Sequence, residues 1–532
     1  MNKLFLLLFS ITFSITLFAQ QTRTKKEGWH LLDQKTDNYR GISLKQAYEL
    51  LKNRKSTTVV VAVIDSGIDT LHEDLKPVLW RNPKEIPGNG IDDDGNGYTD
   101  DVYGWNFCGS KEGENLHRNA HEISRVYHGW KEMFAGKKER DIPANQQFLY
   151  KQWLKAAALI ENDAEEAQKG LPDIEPFLNA LENSSKIINA RLGTQDFTEA
   201  NVKPLAKDKE EMVMKSAGLW LQLFSRSEDK NLKNTAIIKE VSDYRDQLTN
   251  KLKRKTEAPE DTRGQLTKDN YTDINDRSYG NNNLKAHSGD HGTLVAGTIA
   301  AVRNNGIGVD GIADNVRIMA IRAVPGGDEH DKDVALAIRY AVDNGAKIIN
   351  MSFGKPVSPY KQMVDDAVRY AQTKGVLLVH GSGNDGKDIT EDVFYPNPVL
   401  LDGSKATNFI TVGASGDEST GAIAAPFSNY SKKTVDIFAP GMYIYATATD
   451  NRYVGADGTR LASPVVAGVA ALLKSYFPEL TPEQIIHILI TSGTTEQNAV
   501  IIPGKEKTKA AFSSLSSSGK IVNAYNAVKL AL

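Results

Sequence analysis

Apolar residues fall in two rhythms along this chain. The first is a short continuous run. Residues 58–64 (TVVVAVI) are almost all β-branched and lead into Asp65-Ser66-Gly67, which predicts a strand buried on both faces. Similar runs occupy residues 316–324, 347–352, 375–379, 409–414 and 435–438. Between several of them the spacing turns helical, at 334–342 and 364–370, and another helical stretch precedes them at 44–51. Strands alternating with helices require crossover connections, so the pattern predicts an α/β fold with a mostly parallel central sheet covered by helices.

The second rhythm is helical throughout and interrupts the first. Leu149, Trp153, Ala156 and Ile160 step by four, three and four, as do Ile237, Val241, Tyr244 and Leu248. Each set lies on one face of a helix. Charged residues such as those at 251–255 fill much of the remainder. Residues 109–285 are therefore read as a helical insertion, between an N-terminal part at 20–108 and the remainder at 286–532.

The first residues read as an address. Lys3 supplies a positive charge, residues 4–18 form an apolar run broken only by hydroxyl residues, and Ala19 offers a small residue for cleavage. This predicts a signal peptide over 1–19 and an exported protein, periplasmic in the first instance and extracellular in the second. No later segment approaches the ~18 apolar residues of a membrane span. The 532 residues carry a net charge of -3, which suggests no nucleic-acid partner. Cys108 is the only cysteine, so no intrachain disulfide can form. A monomer is expected.

Three short segments carry candidate chemistry. Asp65 ends the first buried strand, at the sheet edge where ligand sites gather. His291 opens DHGTLVAGT, a glycine- and threonine-rich helix start. Ser463 precedes Pro464 in GTRLASPVVAG, and proline favours the first turn of a helix, where unpaired N–H groups stabilise developing negative charge. A serine hydroxyl needs a histidine to take its proton, and the histidine needs a carboxylate to fix its tautomer.

In the order Asp, His, Ser, these segments resemble the catalytic motifs of subtilisin-like serine proteases. The resemblance implies the three-layer fold of that family. It also implies an endopeptidase acting on polypeptide substrates, with Asp65 as acid, His291 as base and Ser463 as nucleophile. VHGSGNDG resembles the family stretch whose asparagine donates to the oxyanion, which makes Asn384 that donor and places Gly383 beside the substrate. INMSFG resembles the strand along which substrates lie, through Ser352, Phe353 and Gly354. Phe394 stands where the best-known members keep a glycine at the pocket floor, implying a shallower pocket. Two further departures are Leu294 for a second histidine and Arg460-Leu461 for the usual serine–methionine pair; neither is expected to cost activity. The competing expectation is a catalytically silent relative that binds a protein partner.

NGIDDDGNGYTDD, at 89–101, places Asp92, Asp94, Asn96 and Asp100 at the first, third, fifth and ninth positions of a calcium loop, with Gly97 at the sixth. Tyr103 stands at the twelfth instead of glutamate, so the loop is not a complete EF-hand. Structural calcium is expected, and no organic cofactor. His117, His121 and His128 could gather on a helix, but no supporting cysteine or carboxylate pattern points to a metal there.

Overall fold

Each predicted run becomes a strand, within a few residues, in the computed structural model, which describes residues 26–227, 229–286 and 289–532. The signal segment read at 1–19 lies outside the described residues. Two compact units are present among the described residues: a smaller one over 123–259 and a larger one formed by 26–122 and 260–532.

The larger unit is built on nine strands. In chain order these are β1 (Val59–Asp65), β2 (Gly104–Asn106), β3 (Val316–Arg322), β4 (Ile348–Met351), β5 (Leu377–Gly381), β6 (Phe409–Ser415), β7 (Ile437–Pro440), β8 (Thr494–Thr495) and β9 (Lys520–Ile521). They lie side by side as β8-β9-β7-β6-β5-β4-β1-β3-β2. Every pairing is parallel except β8 with β9.

β1 explains why its run is continuous. Val61 and Val63 face a core shared with the helices Asp290–Ala300 and Thr459–Tyr476. Ala62 and Ile64 face the opposite core, with the helices Asp331–Asp343 and Lys361–Thr373. All four side chains are fully buried. Each of the larger ones contributes roughly 1.5–3 kcal/mol by leaving water, so neither face can turn polar.

The smaller unit packs the helices Gln147–Leu192, Glu211–Phe224 and Asn234–Thr256 around Trp220, Leu181, Phe197 and Leu248. Ile160, Ile237, Val241 and Leu248 are buried, as their spacing predicts, whereas Tyr244 is 38% exposed. Asn234 is fully buried; its amide donates to Ser185 Oγ and its Oδ1 accepts from the Phe197 N–H. Residues 109–122 and 260–285 group with the larger unit. Pairing of Arg118 with Gly326 ties in the first, and of Asn106 with Asn281 and Arg263 with Asp333 the second.

Candidate active site

The carboxyl ends of four neighbouring strands meet in one cleft, the position a parallel sheet gives its ligands. Asp65 is the last residue of β1, Val324 follows β3, Ser352 follows β4, and Gly383-Asn384 follow β5. With His291, Phe394, Thr459 and Arg460 they line a cavity of about 520 Å³.

Asp65 and His291 meet as expected. The imidazole Nδ1 lies 2.6 Å from Asp65 Oδ1, which also accepts from the Ser66 N–H. Asp65 is 2% exposed. Two contacts hold the pair. A Cβ on Gly292 would stand 2.1 Å from the Gly67 carbonyl, so only glycine lets the helix start lie this close to the end of β1. Arg322, fully buried at the end of β3, donates to the Ser66, Cys108 and Leu116 carbonyls and to Asn106 Oδ1, fixing the turn beyond Asp65. His291 Nε2, the atom that would take a proton from a nucleophile, has no hydrogen-bond partner among the described residues.

Ser463 does not join them. The helix expected to begin at Ser463 begins four residues earlier, at Thr459, directly after Gly458 with its φ of 143°. Ser463 is its fifth residue, past the N–H groups a helix start leaves unpaired. Its side chain is fully buried, its Oγ lies 3.0 Å from Ser352 Oγ, and it is not among the residues lining the cleft. Pro464 is tolerated at the sixth position for a specific reason. Proline cannot donate to the carbonyl four residues back, and that carbonyl, on Arg460, accepts instead from the Ser352 hydroxyl at 2.8 Å. Of the two first-turn residues that line the cleft, Thr459 and Arg460, the second stands where a serine–methionine pair would begin.

Asn384 is placed as expected, on the cleft. Its Oδ1 accepts from the Thr459 N–H and hydroxyl, which leaves the amide nitrogen as the end available to a ligand. Thr459 also accepts from the Gly383 N–H, so one threonine that sequence reasoning overlooked joins the β5 loop to the helix start. Phe353 and Gly354 form one wall. Its backbone is held by the fully buried side of β5, where His380 Nε2 donates to the Phe353 carbonyl. Burial drives His380 down to about 4, so the ring is neutral. Phe394 packs across both walls: its Cε1 lies 2.3 Å from where a Cβ on Gly354 would be, and 3.4 Å from the same point on Gly383. The other titratable side chains on the cleft are carboxyls, those of Asp328, Glu329 and Asp385. Burial pushes Glu329 up to about 8 despite Lys355 nearby.

The acidic loop divides the predicted metal ligands. Asp92 and Asp94 converge, and Glu85 joins them from outside the motif. Asp100 turns away to accept from the Gly88, Asn89 and Gly90 N–H groups. Asn96 donates to Asp101 and accepts from the Tyr98 N–H. The histidines do not gather into a metal cluster among the described residues; His121 pairs with Asp328, and His128 with the Arg254 carbonyl.

Comparison with known proteins agrees with this architecture. The model of the subtilase family matches residues 56–502. Over 186 residues the chain is 43% identical to the thermophilic serine proteinase of Bacillus sp. (strain AK1), covering 35% of this chain and 42% of the relative. Over 196 residues it is 39% identical to the thermostable alkaline protease of Halalkalibacterium halodurans, covering 37% and 50%. Over 208 residues it is 36% identical to subtilisin DY of Bacillus licheniformis, covering 38% and 70%. The chain thus spans about half the length of the first two relatives.

Proposed function

The chain belongs to the subtilase family, and from that premise we propose that it is a polypeptide-binding subtilase whose cleft keeps the acid–base pair and the oxyanion amide but presents Arg460 in place of a nucleophile. The observation that carries this reading is the position of Ser463: fully buried, bonded to Ser352 and absent from the cleft lining. Without a hydroxyl in reach of His291, no acyl-enzyme forms, and loss of a serine nucleophile costs about 10⁶ in kcat. What remains is a groove with a peptide-length wall at 352–354, suited to main-chain pairing with an extended segment. Phe394 closes the space between its walls, which favours small side chains there over aromatic ones. Export through the 1–19 segment, to the periplasm first and the medium second, goes with this reading. No helix among the described residues is long and apolar enough to cross a membrane.

A second reading has its own support. The relatives carry protease names, and an endopeptidase acylated on Ser463 is the activity that their likeness suggests. It requires Ser463 to leave its buried bond with Ser352 and reach His291.

Labelling with a fluorophosphonate probe separates the two. The wild-type chain and Ser463→Ala are expected to remain unlabelled while folded by circular dichroism, and Arg460→Ser is expected to gain labelling. Wild-type labelling that disappears in Ser463→Ala would establish the second reading.

A further inference from the structure

The loop from Asn82 to Tyr103 holds a cluster that the cleft does not use. Carboxylate oxygens of Glu85, Asp92 and Asp94 lie within 4.8 Å of one another. Backbone N–H groups restrain all three. Asp92 accepts from Asn96 and Gly97, Asp94 from Asn96, and Glu85 Oε1 from Asp93 and Asp94. Glu85 is the informative member. It is 7% exposed, and its second oxygen, Oε2, is buried with no hydrogen-bond partner. Among the described residues no lysine or arginine forms an ion pair with any of the three. A buried carboxylate oxygen without a partner, facing two more carboxylates, is balanced either by a proton or by a cation, and three converging carboxylates offer a cation a chelating set.

We propose that Glu85, Asp92 and Asp94 bind one calcium ion. All the donors are oxygen, with neither thiolate nor imidazole, which selects a hard cation. Calcium takes six to eight oxygens in irregular geometry, so three carboxylates on a turn-rich loop can serve it with water or carbonyls completing the shell; magnesium demands a near-ideal octahedron. The site departs from the register in the sequence motif. Asp100 caps the turn at 88–90 and Asn96 braces Asp101, while Glu85, seven residues before Asp92, supplies the closing carboxylate. Ion binding reaches the body of the unit by a short path. Asp94 accepts from Asn82, Asn82 also donates to Asp101, and Asp101 accepts from the Tyr340 hydroxyl on the helix that covers β1 and β3.

The test is calorimetric titration of the chelator-treated full chain with calcium chloride alone, beside thermal melts with and without the ion. Wild type is expected to bind one equivalent and to melt several degrees higher with calcium. Glu85→Gln and Asp92→Asn are each expected to weaken binding by at least about tenfold, Asp100→Asn by no more than about threefold, and magnesium to compete poorly. Glu85→Gln, melted without calcium, shows whether that chain folds; it is expected to melt no lower than the wild type because the buried charge is gone. Absence of binding heat and of any melting shift in the wild type overturns the site. Unaltered affinity in Glu85→Gln, with strong loss in Asp100→Asn, overturns this ligand set. None of these readouts depends on whether the cleft hydrolyses peptides.

Discussion

The two units handle charge in opposite ways. In the larger one, Arg263 is 1% exposed and pairs with both Asp269 and Asp333, Lys332 shares Asp269, and Lys355 lies between Glu122 and Asp331. In the smaller one, Lys251, Arg254 and Lys255 on one helix reach Glu166, Asp163 and Glu161 on another, with side chains a quarter to a third exposed. The first arrangement is tightly constrained, because each buried charge depends on its partners. The second is an adjustable ladder: each rung adds little, and water can replace any one of them. Similar residue types thus fix a unique packing in one unit and merely decorate a helix pair in the other.

The largest effect is expected where a buried charge loses its partner. Arg263→Met leaves Asp269 to Lys332 alone and strands Asp333 without a cation, which should cost the larger unit about 3–5 kcal/mol in urea unfolding; a loss below about 1 kcal/mol would remove the contrast between the units. A pH titration sharpens the same point. His380 is neutral in the fold, held down to about 4 by burial. Its contribution is therefore fully present above the ordinary histidine value near 6.5 and is lost as pH falls toward 4. Melting of the larger unit should weaken across that window, and His380→Gln should flatten the decline. An intermediate loss is expected from a buried polar clamp of the smaller unit. Asn234→Leu leaves the Phe197 N–H without its acceptor, costing about 1–3 kcal/mol by hydrogen exchange of the 147–256 helices. The smallest belongs to the ladder: Lys255→Gln should leave that same exchange nearly unchanged, and any difference should vanish at high salt.

How far the sequence reveals this molecule depends on how local each cause is. The strands were legible because burial on two faces leaves no polar position: the run ending at Ile64 differs from β1 by one residue at each end. The pairing of Asp65 with His291 was legible because each sits where an element ends or starts beside glycine. The smaller unit showed its helices but not its charge ladder, whose partners are 85 to 94 residues apart. Ser463 misled for a physical reason. A proline after it marks a helix start only if the carbonyl four residues back has no other donor, and here Ser352, 108 residues away, supplies one. Glu85 was hidden in the same way, since only the folded loop brings it to Asp92 and Asp94. The spacing shows the acidic character of the loop but not which carboxylates converge in it.

The close seat of Gly292 against the Gly67 carbonyl has a consequence for descent. That contact packs the Asp290–Ala300 helix onto the sheet, and it aligns His291 with Asp65 as a by-product. Selection for a folded chain alone would therefore preserve the pair long after turnover ceased to matter. Loss of function in such a lineage would register first at an exposed helix-start position such as Arg460, where a new side chain disturbs no packing.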